Sequence, residues 1–220
     1  GWPEIMTLPL ASGTTWPRQL DDRLKAAMEA SDAVVIGPGM GRDEATIDFI
    51  HHFLEVQDKP TVIDADALFA LAERPERLSG LSPSSILTPH PGEMARLCGC
   101  SNADIQAARS DWAGSIARKS GCTVILKGAG TVISAPNQPF FFSPFACANL
   151  AIGGSGDVLS GVLGSLLARS MEPFIAASAA VYWHGRAGQY LQQHYPYRGN
   201  LAQEIAHTLP QCLDLFEEHA

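Results

Sequence analysis

The sequence predicts an α/β protein: a mainly parallel sheet with helices on both faces. Three observations carry the prediction. Short runs rich in β-branched residues recur along the chain, as in strands of a sheet covered on both faces. Segments with apolar residues every three to four positions separate them, which is the period of an amphipathic helix. Glycine-rich or acidic clusters follow the strands at one end, where open parallel sheets hold their ligands.

AVVIG (33–37) is the first strand, closed by glycine. DEATIDFIHHFLEV (43–56) follows, with Ile47, Ile50, Phe53 and Leu54 at helical spacing. TVID (61–64) is the second strand and ADALFALAE (65–73) the helix after it. SILT (85–88) is the third strand. Pro91 suits the first position of the next helix, where its missing N–H would have had no partner. NADIQAARSDWAGSIARKSG (102–121) reads as one helix closed by Gly121. CTVILKG (122–128) and TVIS (131–134) form a strand, a tight turn and a second strand, with PFFFS (139–143) pairing at the edge. From Asp157 the chain is mostly helical, through FIAASAAVYWHGRAGQYL to a last helix near 200–218. No repeat, low-complexity tract or linker-like shift divides the 220 residues, so one domain over 1–220 is expected.

The formal net charge is −8 and no Lys/Arg cluster is present, which argues against a nucleic-acid surface. No apolar run approaches the ~20 residues of a membrane helix. No basic-then-apolar leader opens the chain, so a cytoplasmic location is expected. Cys98, Cys100, Cys122, Cys147 and Cys212 are odd in number and match no zinc spacing. They read as reduced packing thiols, with a Cys98/Cys100 metal site as the alternative.

AIGGSGDVLSGVLGSLLARS (151–170) places three glycines and an aspartate at the mouth of a helix that starts at Gly156 or Asp157. Val158, Leu159, Val162, Leu163, Leu166 and Leu167 form its packing face. The first amides of a helix lack internal partners and its N-terminal end is positive. Gly153, Gly154 and Gly156 carry no Cβ, so an anion can approach the backbone. Asp157 is out of place beside an anion unless it takes a proton from a hydroxyl attacking a phosphate; as pure structure it is a cap. The stretch is neither a G-x-S-x-G elbow nor a G-x-x-x-x-G-K-[ST] loop, and GPGMGR has Arg42 where G-x-G-x-x-G needs glycine.

The other clusters end strands too: GPGMG, DAD, TPHPGE and KGAGT. Lys127 ends an apolar strand and is costly to bury without an anionic partner. His90 lies between two prolines and serves either a site or a rigid turn. Asp64 and Asp66 fit a site or a turn with an N-cap. Glu93 fits a site or compensation of a helix dipole. His51 and His52 read as surface or packing residues, and Trp183–His184 as helix packing.

Together VVIGPGMGR, VIDADAL, ILTPHPGEMARL, VILKGAGTVI and GGSGDVLSGVLGSLLA resemble the ADP- or ATP-dependent NAD(P)H-hydrate dehydratases of the ribokinase-like superfamily. The resemblance runs from PEIMTLPL to the helix with Trp183 and His184. It implies a three-layer α/β/α fold and repair of hydrated NADH or NADPH. A nucleotide phosphorylates the ring hydroxyl, and phosphate then leaves. By resemblance, Asp157 is the catalytic base. Gly154, Ser155 and Gly156 form the anion hole. Lys127, Gly128, Ala129, Gly130 and Thr131 hold ADP or ATP. Gly37, Gly39, Gly41, His90 and Asp157 line the substrate side. Asp64, Asp66 and Glu93 reach phosphates and Mg²⁺, through water. A homo-oligomer is expected from family habit and from an exposed sheet edge.

Three departures stand out. Family domains carry an earlier strand–helix segment with a glycine-rich turn, before the point where this chain opens at GWPEIMT. Phe69 stands where a polar asparagine is expected, and Asn149 where a glycine is expected. Two rival readings remain: a kinase of a vitamin-precursor alcohol, or a nucleotide-binding remnant without catalysis. HPGE and KGAGT combined with GPGMG favour the dehydratase.

Overall fold

The computed structural model describes residues 5–10, 16–17 and 20–213. A six-stranded sheet runs in sequence order: β1 (Val34–Ile36), β2 (Thr61–Ile63), β3 (Ile86–Leu87), β4 (Thr123–Leu126), β5 (Val132–Ser134) and β6 (Phe141–Phe142). The first four strands are parallel, and β5 and β6 turn antiparallel. Helix α1 (Asp22–Glu29) precedes the sheet. Helices α2 (Glu44–Val56), α3 (Ala65–Glu73), α4 (Pro91–Cys98), α5 (Asn102–Ala107) and α6 (Arg109–Ser120) lie between the parallel strands. Helices α7 (Ser155–Ala168), α8 (Pro173–Leu191) and α9 (Ala202–Thr208) come after it.

Side chains alternate across a strand, and here both faces are covered. Ile63, Leu87, Val124 and Leu126 pack on one side with Phe49, Leu68, Met94 and Ile116. Val62, Ile86, Ile125 and Ile133 pack on the other with Leu163, Ala177 and Ala180. This is the expected three-layer α/β/α fold, and it explains why strand residues are buried on both faces. Among the described residues β1 is an edge strand, with Val35 39% exposed, as expected of an open edge. No helix of the described residues is long and apolar enough to cross a membrane.

Two helix expectations need correction. The segment 102–121 is two helices, α5 and α6, broken at Ala108 (φ −144, ψ 52). Ser101 and Asp104 form a capping box that starts α5, and Trp112 donates from Nε1 to the Asp104 carbonyl. The break turns Arg109 inward, where its guanidinium reaches the main-chain carbonyls at the end of β4. The last helix stops at Thr208 and tightens into a 3₁₀ turn over Leu209–Cys212. Pro210 lacks the N–H that a continuing α-helix would use. Residues 214–218 of that expected helix, like the opening Pro3–Glu4, lie outside the described residues.

Two glycines of α8 position the chain that leaves β6. A Cβ at Gly185 would lie 2.1 Å from Phe145, and one at Gly188 would lie 2.6 Å from Leu150. The chain around 145–150 therefore rests directly on α8 and walls a cavity against it.

Candidate active site

Helix α7 starts where the ends of β2 and β4 converge. Gly154 is its N-cap at φ +83, and no side chain caps it; the Ser155 amide donates to the Ile152 carbonyl at 3.3 Å, which leaves the amides of Gly156 and Asp157 for a ligand. Its start lies one residue before the expected range. Asp157, in the first turn, is not the cap. A Cβ at Gly156 would lie 3.4 Å from Lys127 Nζ and 3.8 Å from Asp64 Oδ2.

Asp64 ties three elements together. Its side chain is 2% exposed, and Oδ1 pairs with Lys127 Nζ at 2.8 Å. Oδ1 also accepts from the Ala65 amide at 2.9 Å, as the N-cap of α3, and Oδ2 accepts from Ser160 Oγ at 2.8 Å. The buried carboxylate is thus fully paired, as burial of a charge requires. Ala65 beside it sits at φ +47, a left-handed conformation that costs a non-glycine about 1–2 kcal/mol. Lys127 finds its anionic partner inside the protein. It also lies 3.9 Å from Glu93 Oε2. Burial pushes the Glu93 carboxyl up, and Lys127 opposes that.

His90 is the N-cap of α4. Its Nδ1 accepts from the amides of Gly92 (3.0 Å) and Glu93 (3.3 Å), while Glu93 Oε2 accepts from the His90 amide at 2.8 Å. With Nδ1 accepting, the neutral ring carries its proton on Nε2. The sequence offered a rigid turn or a site residue; the structure places His90 in a capping box on the cavity wall.

The cavity is about 650 Å³, the size of a small-ligand site. His90, Lys127, Gly128, Ala129 and Thr131 line one side, with Phe145, Leu150, Ile152, Val181 and His184 opposite. The turn over 128–131 holds itself: Thr131 Oγ1 donates to the Gly128 carbonyl at 3.0 Å and accepts from the Gly128 amide at 3.2 Å. Gly128 (φ +149) and Gly130 (φ +67) make that turn possible.

Ser155, Gly156 and Leu159 face this cavity. Asp157 is exposed and does not line it. Helix residues are about 100° apart, so Asp157 points to the side of α7 opposite Ser155. Helix α7 packs over β1 and β2, and GPGMG follows β1. There Gly37 (φ +119) has no room for a side chain, since a Cβ would lie 1.8 Å from the Asp64 carbonyl. Gly39 (φ +68) is open, and Gly41 (φ +96) donates its amide to Asp66 Oδ2 at 2.9 Å. Arg42 Nε donates to the other Asp66 oxygen at 2.7 Å, so Asp66 holds the glycine loop. Asp64, Asp66 and Glu93 are each engaged by protein donors. No group of three His, Cys, Asp or Glu among the described residues could hold a metal. The cysteines are free thiols, with burial pushing Cys98 up to about 11.

Sequence reasoning passed over two residues and left two substitutions unexplained. His184, set aside as packing, lines the cavity with Nε2 3.3 Å from Ser155 Oγ; burial pushes its pKa down to about 4. Arg109 was never singled out, and a guanidinium at a helix break carries no sequence signature. Asn149 is buried and donates from Nδ2 to the Tyr195 carbonyl (2.9 Å) and Asn200 Oδ1 (3.2 Å), fastening the cavity wall to the loop after α8. Phe69 stacks with the guanidiniums of Arg42 and Arg96, 4.8 and 4.9 Å from its ring centre. His51 is packing, with Nε2 3.0 Å from the Ala70 carbonyl.

Comparison with known proteins matches residues 2–211 to the family model described as NAD(P)H-hydrate dehydratase. An ADP-dependent (S)-NAD(P)H-hydrate dehydratase of Neisseria meningitidis serogroup B is 38% identical over 206 residues, covering 91% of this chain and 70% of that one. The ADP/ATP-dependent NAD(P)H-hydrate dehydratase of Bacillus subtilis, co-crystallised with ATP/Mg²⁺, matches with a TM-score of 0.73 and 31% identity, over 84% of this chain and 65% of that one. A ribokinase-like superfamily protein of Enterococcus faecalis matches with a TM-score of 0.76 and 25% identity, over 88% and 66%. Of three bifunctional NAD(P)H-hydrate repair enzymes also matched, the chain spans 41%, 36% and 39% of the length. The fold is ribokinase-like, and the chain belongs to the NAD(P)H-hydrate dehydratase family.

Proposed function

We propose that this domain uses ADP or ATP to return hydrated NADH or NADPH to the intact dihydronicotinamide. One observation carries the reading: the uncapped start of α7 has the cavity on its Ser155 side and Asp157 on the other. The nucleotide lies in the cavity, its phosphates on the turn of Lys127, Gly128, Ala129, Gly130 and Thr131. The phosphoryl group transferred meets the start of α7 at Gly154, Ser155 and Gly156. The hydrated ring lies on the Asp157 side, walled by Gly37, Gly39 and Gly41; His90, expected on that side, instead lines the nucleotide's cavity.

Asp157 accepts the proton of the ring hydroxyl as its oxygen attacks phosphorus. The bond to the nucleotide breaks, leaving AMP from ADP or ADP from ATP. The ring carbon–oxygen bond then breaks to release phosphate, and loss of the neighbouring ring proton restores the double bond. Hydroxide leaves poorly and phosphate leaves well, which is why the nucleotide is needed. Lys127 places a cation beside Gly156, where charge builds on the transferred group. Mg²⁺, when bound, would neutralise the polyphosphate; Asp64, Asp66 and Glu93 are each engaged by protein donors and would act on it only through water. The names of the Neisseria and Bacillus relatives support ADP, with ATP as an alternative donor. A cytoplasmic location and self-association across the open β1 edge belong to the same reading; light scattering checks the second.

The test is recovery of NADPH absorbance from its hydrate with Mg²⁺ and ADP, ATP or neither. Recovery should need a nucleotide and release one AMP or ADP per NADPH. A phosphorylated product that accumulates without NADPH would establish a kinase instead. Nucleotide binding without turnover, unchanged by Asp157→Asn, would establish a remnant.

A further inference from the structure

Arg109 opens α6 just after the break at Ala108, and its guanidinium lies beneath the turn at the end of β4. Nη2 donates to the carbonyls of Leu126 (2.9 Å), Lys127 (3.3 Å) and Gly130 (3.5 Å), and Nη1 donates to Gln106 Oε1 (3.1 Å). A Cβ at Gly128 would lie 3.1 Å from both terminal nitrogens, so the close approach is made against a glycine. Nε is buried and bonds to nothing among the described residues. No carboxylate among the described residues pairs with this side chain, in a chain whose net charge is −8. A guanidinium stays charged at neutral pH. Neutral donors would satisfy three carbonyls; the unpaired charge is what remains to be explained.

The carbonyl geometry says how the turn is shaped. In a trans peptide the N–H points opposite the carbonyl. Holding the Gly130 carbonyl from below turns the Thr131 N–H away from the guanidinium, on the side where Thr131 lines the cavity. We infer that Arg109 is a positioning residue for the nucleotide: it fixes the Lys127–Thr131 turn in a phosphate-receiving shape and sets an uncompensated positive charge beneath it. The inference rests on the reading of that turn as the nucleotide's. Arg109 acts through main-chain carbonyls and touches no reacting atom. The helix break has the same logic, because a continuous helix over 102–121 would aim this side chain differently.

The experiment is calorimetric titration of ADP and, separately, adenosine, with Mg²⁺, into wild type, Arg109→Met and Arg109→Lys. Arg109→Met should weaken ADP about tenfold, as expected for losing charge-assisted contacts, and leave adenosine within about twofold. Arg109→Lys should recover part of the ADP loss. In turnover, the KM for ADP should rise by the same factor, with kcat and the KM for the hydrated dinucleotide unchanged. Undiminished ADP affinity in Arg109→Met, or equal loss of ADP and adenosine, would overturn the inference. So would a lysine no better than methionine. Arg109→Gln, which keeps a donor but no charge, repeats the test if the methionine variant does not fold. Wild type that binds ADP but never restores NADPH would sink the repair reading and leave this one standing.

Discussion

The two sides of α7 are built differently. On the Ser155 side, the cavity has a continuous wall from β4 to α8, fastened by Asn149, Arg109 and the contacts of Gly185 and Gly188. On the Asp157 side stand a glycine loop held by one carboxylate, Asp66, and the edge strand β1 with Val35 partly bare. A preformed cavity suits a compact nucleotide. The difference is one of how many elements converge: β4, β5, α7 and α8 meet on the first side, while β1 and β2 carry the second.

Five changes should sharpen or break that contrast. Asp157→Asn has the largest effect: a loss of about 10²–10⁴ in kcat, with ADP affinity kept or improved in calorimetry. Equal loss of both would make Asp157 a structural residue of the first turn rather than the base. Lys127→Met strands the buried Asp64 carboxylate and should cost about 3–5 kcal/mol in urea unfolding. Ser160→Ala, which removes one hydrogen bond to the same carboxylate, should cost only about 1–2 kcal/mol.

Acid should act through the cavity side. His184 titrates near 6.5 when unfolded and about 4 when folded. Between those values only the unfolded chain binds the proton, so this stability is complete above pH 6.5 and is lost as pH falls toward 4. The shift corresponds to roughly 3 kcal/mol. Urea unfolding at pH 7 and pH 5 should reveal it, and His184→Gln should flatten the difference. Gly39→Ala is the mildest change. Nothing crowds a Cβ there, but φ +68 should cost about 1–2 kcal/mol, readable as a lowered Tm.

The strands, their mainly parallel sheet and both helical layers were readable in the sequence, because strands buried on two faces and helices on one leave distinct apolar periods. The start of α7 was readable for the same reason: glycines and an aspartate ahead of a clean apolar stripe. What was not readable came from tertiary geometry. The break at Ala108 has no proline or glycine to announce it. His184 sits on an apolar helix and looks like packing until Ser155 arrives from another element. Asp66 was read as a site or turn residue, and its bonds to Gly41 and Arg42 exist only once α3 and the loop after β1 are assembled. Phe69 departs from the polar residue expected there, and two arginines distant in sequence close on its ring.

The most direct test of the two-sided site is ADP binding to the wild-type protein, with Mg²⁺, at increasing NADPH. Both ligands carry adenine, so a shared cavity would force competition. Separate sides of α7 predict an ADP Kd constant within about twofold at saturating NADPH. A Kd that climbs in proportion to NADPH would put both ligands in one cavity and contradict the account.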